Sequence, residues 1–403
     1  MRLVQFCLFI LTISTLCNAS FAQASDKVFP DISENVQISL ITGEPGKELY
    51  TAWGHSAIRV YDPSMDVDLV YNYGTFDFNA PGFYRKFLQG KLNYFLNVYD
   101  FKRMVLEYKY FNQSLYEQII NLTYDEKKAI YDFLNNNSLP ENKFYLYDFF
   151  FDNCSSRIRD VFQNILGPGL IFEDHHIESH KTFRQLLDEF LLGREWGDFG
   201  IDLILGLPAD QVASSYEYMF LPYKLFDAFE NAVVYEDDNN KPLVSYTIPV
   251  HQSVKNPNGQ SFSISPKMLF WTILLIVLAM SLVLKRRIII MKIFDVIFFT
   301  VIGLSGVLIA FLWFGTDHIT TKDNLNLLWA FPTHLIVPFI IFRTTNSKWI
   351  VYYYLFWLVF VILFLGSWVI LPQQMNLANI PILLILIARF YFNYIRVSSN
   401  VKK

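Results

Sequence analysis

The chain has 403 residues and a formal net charge of −4, a slightly acidic balance that gives no reason to expect a nucleic-acid partner. Its hydrophobic fraction of 53% is high for a soluble protein, and the excess lies after Pro266. Composition therefore excludes a wholly soluble chain and predicts a soluble part followed by a membrane part.

A positive charge, an apolar run and then small residues open the chain. This pattern predicts a secretory signal peptide over residues 1–22, with cleavage after Ala22. Cleavage would remove Cys7 and Cys17 and leave Cys154 as the one thiol of the exported chain. One thiol cannot form an internal disulfide, so the usual reason for a cysteine outside the cytoplasm does not apply.

Alternation of apolar and polar residues predicts a mainly antiparallel sheet in an exported domain that spans residues 23–250. The predicted strands cover residues 36–42, 57–61, 69–73, 92–99, 104–110 and 243–250. A helix is expected from Thr123, because Glu126 three residues later completes a capping box. A mostly helical stretch runs from Cys154 to about Val234, and a polar linker follows at 251–266. The predicted class of this domain is α+β.

Cys154 occupies the first turn of a predicted amphipathic helix. The apolar face of this helix precedes a Gly-Pro-Gly stop and comprises Ile158, Val161, Phe162, Ile165 and Leu166. Asp152 or Asn153 is the natural N-cap. The free N–H groups and the dipole of a helix start favour a thiolate and can hold a developing oxyanion. Asp152, Asn153 and Ser155 are therefore the expected supports of such a site.

A thiol nucleophile needs a base, and His55 is the candidate. It stands at the mouth of a predicted strand directly after Gly54, where another backbone segment can approach closely. A lone cysteine is often no more than a small buried hydrophobic residue. The helix start, the export signal and a histidine on a strand together favour a catalytic pair of Cys154 and His55.

Five apolar spans follow the linker and predict a five-helix membrane domain over residues 267–403. They cover about 268–284, 293–315, 326–342, 349–371 and 380–395, and a bilayer core needs about 20 helical residues. Nine basic residues lie in the loops and tail assigned to the inside, whereas the outside loops contain only Lys322. This bias places the N-terminal domain outside and the C-terminus in the cytoplasm. Arg389 is almost the only charge deep in a span.

Polar residues between the second and third spans lie at the outer interface or just beneath it. They are Asp317, His318, Asn324, Asn326 and Trp329. Ionisable groups at membrane depth are costly, which favours a substrate-side role for this segment. The alternative is a loop that caps the bundle and receives the exported domain.

Three stretches, AWGHSAIRVYDP, YNYGTFDF and DNCSSRIRD, resemble the exported domain of the Lnb-type membrane proteins, which are bacterial lipoprotein N-acyltransferases. The resemblance continues into the membrane part through GTDHITTKDNLNLLWAFPTH. The order of histidine before cysteine is also similar to the permuted papain-like fold of lecithin–retinol acyltransferase and its NlpC-like relatives. In those proteins a polar residue on the neighbouring strand orients the histidine. Asn72 is the best match for it, with Tyr71 and Tyr73 as alternatives.

The resemblance implies acyl transfer at the outer face of the bacterial inner membrane, with no metal and no cofactor. A phospholipid would give its acyl chain to Cys154, and a diacylglyceryl-cysteine lipoprotein would accept it on its α-amino group. A cell-wall peptidase or amidase with the same catalytic pair, and a membrane phospholipase with water as the acceptor, are the alternative enzymes. The alternative that is not an enzyme is a receptor or transporter subunit.

Overall fold

The computed structural model describes residues 29–175, 177, 179–236, 239–254, 264–283, 288–342 and 347–401. The predicted signal peptide lies outside the described residues, as does most of the predicted linker. An N-terminal domain of mixed α/β structure precedes a C-terminal region that is helical.

Ten strands among the described residues form two sheets in the N-terminal domain. They are β1 (Gln37–Gly43), β2 (His55–Asp62), β3 (Val67–Thr75), β4 (Asn93–Asp100), β5 (Leu115–Ile120), β6 (Phe144–Leu146), β7 (Leu170–Phe172), β8 (Ala232–Glu236), β9 (Asn239–Pro242) and β10 (Val244–His251). The large sheet has the order β10-β5-β1-β2-β3-β4-β6, and the small sheet has the order β7-β8-β9. All of these strand pairs are antiparallel.

Eight helices of the N-terminal domain lie within the described residues. They are α1 (Phe83–Leu88), α2 (Phe101–Tyr110), α3 (Tyr124–Asn137), α4 (Cys154–Leu166), α5 (Phe183–Asp188), α6 (Glu195–Ile204), α7 (Ser215–Tyr218) and α8 (Pro222–Glu230). The main hydrophobic core lies between the sheet and helices α3, α4 and α8. Thr123 caps α3 as predicted, because its hydroxyl accepts from the Glu126 N–H and the Glu126 carboxylate accepts from the Thr123 N–H.

Five of the six predicted strands are confirmed within two residues at each end, as β1 to β4 and β10. The sixth, over residues 104–110, is wrong, because this segment belongs to α2. Its apolar residues recur at intervals of three and four and pack into one cluster; they are Phe101, Met104, Val105 and Tyr108. The predicted helical stretch up to Val234 also contains β7 and the start of β8.

The C-terminal region contains α9 (Pro266–Val283), α10 (Ile288–Phe314), α11 (Asn326–Trp329), α12 (Val337–Ile340), α13 (Lys348–Gly366) and α14 (Asn379–Val401). Within the described residues, three helices are long and apolar enough to cross a membrane, not the five predicted; they are Ile289–Phe314, Lys348–Gly366 and Asn379–Ser399. The apolar part of α9 is shorter than these three helices. The predicted span 326–342 is divided into α11, a 3-10 turn at Pro332–Ile336 and α12. Pro332 and Pro338 explain the division, since proline has no N–H to donate within a helix.

Arg389 has a partner that the sequence analysis did not predict. Asp295 on α10 accepts from Arg389 Nε at 2.6 Å and from Nη2 at 2.9 Å. Both side chains are buried, and Asn393 also donates to the Asp295 carboxylate. The pairing leaves neither charge uncompensated in an apolar surrounding, where an isolated charge would be strongly destabilising.

The two parts of the molecule meet at a junction formed by residues 195–210 of the N-terminal domain with residues 320–326 and 373–376 of the C-terminal region. Gly206 N–H donates to the Thr320 carbonyl at 2.9 Å. A Cβ on Gly206 would lie 1.7 Å from the Lys322 carbonyl oxygen. The two backbones therefore approach more closely here than any side chain would permit.

Candidate active site

Cys154 begins α4 where this helix packs against β2. Ser155 Oγ lies 3.1 Å from Ser56 Oγ, and both serines are fully buried. This contact ties the start of the helix to the strand that carries His55. The Cys154 side chain is only 7% exposed, so a charge on its sulfur must be compensated by protein groups rather than by water.

His55 interacts with residues on two sides of its ring. The charges of His55 and Cys154 interact, and His55 Nε2 lies 2.5 Å from Asn72 Oδ1 on β3. Because an amide oxygen only accepts, Nε2 carries a proton and Nδ1 is the ring nitrogen left for the thiol. Asn72 Nδ2 in turn donates to the Tyr99 hydroxyl on β4 at 3.0 Å. The structure thus brings together the three candidate residues of the sequence analysis.

The pair shifts both pKa values towards an ion pair. Burial raises the pKa of the Cys154 thiol, but the charge and hydrogen bond of His55 and the Ser56 N–H outweigh it, so this pKa is lowered. Burial likewise lowers the pKa of His55, yet Cys154 and Asn72 raise it above its usual value. Both shifts act in favour of a thiolate beside an imidazolium, and the thiolate is the nucleophilic form of cysteine.

Asn153 is the N-cap of α4. Its Oδ1 accepts from the N–H groups of Ser155 at 2.8 Å and Ser156 at 3.0 Å. The Ser156 hydroxyl accepts from the Asn153 N–H at 2.8 Å and completes a capping box. Two of the N–H groups expected to hold an oxyanion are therefore occupied. The N–H of Cys154 is the first-turn N–H that the Asn153 side chain does not engage.

Asp152 is engaged outside the Cys154–His55 pair. Its carboxylate accepts from Arg157 Nε at 2.5 Å and from Nη2 at 2.8 Å. The Arg157 guanidinium lies over the Tyr145 ring at 3.5 Å from its centroid. Asp152 therefore supports the first turn of α4 through Arg157 rather than through a cap of its N–H groups.

Several residues around the pair were not predicted from the sequence. Gly74 has a φ of +83°, and a Cβ there would lie 3.4 Å from Cys154 Cβ and 3.6 Å from the Tyr147 ring. Burial raises the pKa of Tyr147 and of Tyr108, and the charge of Cys154 raises both further. These shifts keep both tyrosines neutral, and Tyr147 lies close to Cys154 across Gly74. The glycine that interrupts the alternation of β3 is the sequence signal for this close approach.

Three of the five predicted interface residues are buried in the junction. Asn324 Nδ2 donates to the Leu203 carbonyl at 2.9 Å, and Asn326 Nδ2 donates to the Asp202 carbonyl at 3.1 Å. Trp329 Nε1 donates to Asn326 Oδ1 at 3.0 Å. The two asparagine amides satisfy backbone carbonyls at the end of α6, and the Trp329 N–H holds the Asn326 amide in place.

Asp317 and His318 lie at a second contact between the two parts. His318 Nε2 donates to the Phe87 carbonyl at 3.0 Å, and the Asp317 N–H donates to the Gln89 carbonyl at 2.9 Å. The Asp317 carboxylate also lies 3.7 Å from Lys91 Nζ. Both residues directly follow the long helix α10, so this contact lies at the end of a membrane span.

Three carboxylates at the junction lie close enough together to hold a cation. The ligand oxygens of Asp188, Asp198 and Asp202 all lie within 4.8 Å of one another. Protein groups already engage them: Arg184 pairs with Asp202 at 2.7 Å, and Asn376 Nδ2 donates to Asp198 and Asp202. This cluster belongs to the contact between the two parts and not to the Cys154–His55 pair.

Two family models match the chain. The model of the Lnb N-terminal periplasmic domain matches residues 31–189, and the model of the Lnb transmembrane domain matches residues 257–400. The first match includes Cys154, His55 and Asn72, and the second includes the five interface residues. No curated protein and no solved structure matches the chain significantly.

Proposed function

Because the chain belongs to the Lnb family, with a periplasmic N-terminal domain and a transmembrane C-terminal region, we propose that it is a lipoprotein N-acyltransferase that works through a thioester on Cys154. The observation that carries this proposal is the pairing of Cys154 with His55 at the start of α4, with Asn72 2.5 Å from the far side of the imidazole. A nucleophile, a base and a residue that orients the base form the constellation that acyl transfer through cysteine requires.

The first half of the reaction loads the enzyme. The Cys154 thiolate attacks an ester carbonyl carbon of a membrane phospholipid, and the N–H of Cys154 stabilises the tetrahedral oxyanion. The carbon–oxygen bond of the ester then breaks. The His55 imidazolium gives its proton to the departing oxygen, so a lysophospholipid leaves and an acyl thioester remains on a site whose imidazole is neutral.

The second half delivers the acyl group to the lipoprotein. The α-amino group of a diacylglyceryl-cysteine attacks the thioester carbonyl, and neutral His55 takes the proton that the amine loses. The carbon–sulfur bond breaks and an amide forms. The thiolate and the imidazolium are restored, which returns the pair to its starting state.

Water competes with the amine for the thioester. If water attacked the thioester instead, the protein would act as a membrane phospholipase. The low exposure of the Cys154 side chain, 7%, favours the transferase, because a withdrawn sulfur limits the access of water. The Tyr147 ring, which lies near Cys154 across Gly74, acts in the same direction. A cell-wall peptidase has no comparable use for the membrane region.

A permuted papain-like arrangement is the fold that we propose for the periplasmic domain. An antiparallel sheet carries His55 on a strand, and the helix that starts at Cys154 packs against that strand later in the chain. We place the protein in the bacterial inner membrane with its C-terminus in the cytoplasm. Three crossings, like five, leave the two ends of the chain on opposite sides, and the basic residues of the loops support this orientation.

Mass spectrometry of lipoprotein N-termini tests the proposal directly. Cells with Cys154→Ala or His55→Ala in place of the wild-type protein should accumulate diacylated lipoproteins, with N-acylation reduced by about a thousandfold or more. His180→Ala is the matched control, since His180 is exposed in a polar loop. Its lipoproteins should stay N-acylated.

Mass spectrometry of the purified protein separates the competing outcomes. Intact-protein mass spectrometry of the purified wild type should detect one fatty acyl group on Cys154 when phospholipid is supplied without acceptor. Unchanged N-acylation in the Cys154→Ala cells would refute the proposed nucleophile. Release of free fatty acid, with no transfer to a diacylated lipopeptide, would identify a phospholipase instead.

The pH profile of transfer tests the role of Asn72. Its hydrogen bond raises the pKa of His55, so Asn72→Ala should lower that pKa. The imidazolium is then lost at lower pH, and the basic limb of the bell-shaped rate profile should move to lower pH while the protein stays folded. A variant with reduced rate but an unmoved basic limb would show that Asn72 does not act through the imidazole.

A further inference from the structure

The segment over residues 76–91 combines aromatic and basic side chains on the surface of the periplasmic domain. We call it the aromatic edge; it contains the residues that follow β3, the short helix α1 and the turn before β4. Its exposed apolar side chains are Phe78, Tyr84, Phe87 and Leu88, at 60%, 77%, 48% and 46% of their full surface. Its charges are Arg85, Lys86 and Lys91 against the single carboxylate of Asp77. Apolar side chains interleaved with cations are typical of segments that lie in the headgroup layer of a membrane.

The aromatic edge lies at the level of the membrane surface. His318 Nε2 bonds to the Phe87 carbonyl and the Asp317 N–H bonds to the Gln89 carbonyl. A Cβ on Gly90 would lie 3.1 Å from the His318 nitrogen, so the two backbones are in contact. Helix α10, one of the three spans, ends only a few residues earlier at Phe314. The exposed side chains of the aromatic edge are therefore held beside the outer end of a membrane helix.

A series of ring contacts leads from the aromatic edge to Tyr147, which lies near Cys154. The Phe87 and Phe83 rings stack at 6.1 Å, and Phe83 and Phe76 stack at 5.9 Å. Phe76 contacts Tyr94 at 5.3 Å, and Tyr94 stacks on Tyr147 at 4.4 Å. A Cβ built on Gly74 would contact both Tyr147 and Cys154, so Tyr147 lies close to the thiol. Packed aromatic rings thus connect the aromatic edge to the neighbourhood of Cys154.

We propose that the aromatic edge docks the periplasmic domain onto the outer leaflet and takes the acyl chain of an anionic phospholipid along the Phe83–Phe76–Tyr94–Tyr147 series to Cys154. Phe78, Tyr84, Phe87 and Leu88 enter the headgroup layer, and Arg85 and Lys86 bind the negative headgroup. The docking part stands on the contacts at Phe87 and Gln89, and the delivery part rests on the proposed acyltransferase function. Anionic lipid is the occupant that the charge of the edge favours, since each basic residue near an anionic surface adds to its attraction.

Spin-label accessibility in the full-length protein tests the docking. Tyr84→Cys in a Cys154→Ser background is labelled and reconstituted into vesicles of phosphatidylethanolamine with phosphatidylglycerol. The label at position 84 should be relaxed more by oxygen, which partitions into the bilayer, than by a water-soluble nickel chelate. Phe133→Cys in the same background is the control, because Phe133 is an exposed aromatic residue on α3. Its label should respond mainly to the chelate.

Charge variants test the headgroup preference. Arg85→Gln together with Lys86→Gln should slow the appearance of the acyl thioester on Cys154 by about tenfold on vesicles that contain phosphatidylglycerol. Lys127→Gln together with Lys128→Gln on α3 removes the same charge elsewhere and should leave the rate unchanged. On phosphatidylethanolamine alone the two double variants should load at the same rate.

The outcomes separate the docking surface from the enzyme activity. A water-accessible label at position 84 would overturn the docking whether or not the enzyme transfers acyl groups. If the label is protected from the nickel chelate only after a diacylated lipopeptide is added, the aromatic edge binds the acceptor lipoprotein instead. This result would also overturn the proposal. If the wild type never forms a thioester, the proposed function and the delivery along the aromatic series both fail, while the label alone decides the docking. Equal slowing by the two double variants would refute the headgroup role.

Discussion

The periplasmic domain meets the membrane region at two places whose chemistry differs. At the junction, the two backbones approach closely at Gly206. The buried amides of Asn324 and Asn326 there donate hydrogen bonds to carbonyls of α6. At the aromatic edge, two backbone carbonyls accept hydrogen bonds from residues 317 and 318 while large apolar side chains remain exposed. A buried contact with satisfied polar groups stabilises the position of the domain. An exposed apolar contact beside a membrane span leaves surface for a lipid.

The largest expected effect is at Gly206. The Cβ of Gly206→Ala would lie 1.7 Å from the Lys322 carbonyl oxygen, so the two backbones must separate. We expect a loss of about 3 kcal/mol in the free energy of unfolding, measured by thermal unfolding in detergent. Gly200→Ala is the matched control on α6, because its added Cβ meets no atom within 4 Å. Equal stability of the two variants would show that the junction does not hold the parts together.

The next effect concerns the buried amide of Asn326, which is 1% exposed. Asn326→Ala leaves the Asp202 carbonyl and the Trp329 N–H without their partner and should cost about 1–3 kcal/mol. Asn79→Ala changes an exposed amide on the aromatic edge and should shift stability by less than about 0.5 kcal/mol. Chemical unfolding of both variants measures the difference. A neutral Asn326→Ala would mean that water replaces the amide.

Tyr84→Ser should separate stability from activity at the aromatic edge. Because the Tyr84 side chain is 77% exposed, its loss should change the free energy of unfolding by less than about 0.5 kcal/mol. The rate of Cys154 acylation from vesicles should nevertheless fall severalfold, since membrane contact is weakened. Stability and acylation are measured on one preparation. A variant that keeps the full acylation rate would contradict the contrast between the two contacts.

The smallest effect is a pH dependence at the junction. Burial and the nearby charges of Asp202 and Asp198 raise the pKa of Asp188 from 3.8 to about 7, against the opposing effects of Arg184 and Gln374. The folded state therefore binds this proton more tightly than the unfolded state, and the group's contribution to stability falls as the pH rises from about 4 through about 7.

Asp188→Asn removes this titration and should flatten the dependence of the melting temperature on pH in that range. Melting curves of wild type and variant across the range measure the change. The same slope in both proteins would show that other groups cause the pH dependence.

Local patterns in the sequence were enough for the start of α4. A capping residue, a first-turn cysteine and apolar residues at helical spacing involve only neighbours along the chain, and the helix begins at Cys154 as predicted. The segment 104–110 shows the limit of such patterns. Its apolar residues suit a strand or a helix in isolation, and packing of Phe101 and Met104 in the core selected the helix.

The choice among Asn72, Tyr71 and Tyr73 required the fold. Successive side chains of a strand face opposite sides of the sheet, and the two tyrosines point into the main core, where they are at most 1% exposed. Their hydroxyls bond to Asn135 and Asn137 on α3. Asn72 is thereby the residue of the three that reaches His55.

By itself, the sequence determined the division into a periplasmic and a membrane part, the candidate pair of Cys154 and His55, and most strands of the large sheet. Hydropathy, capping and alternation are properties of adjacent residues, so they can be recognised without knowledge of the fold. Only the tertiary structure decided that Asn324 and Asn326 belong to a junction, that Asp295 neutralises Arg389 and that the aromatic edge lies beside a membrane span. The contact between His318 and Phe87 joins residues 231 positions apart. Such contacts arise from burial and hydrogen bonding summed over the whole molecule, which no short stretch of sequence contains.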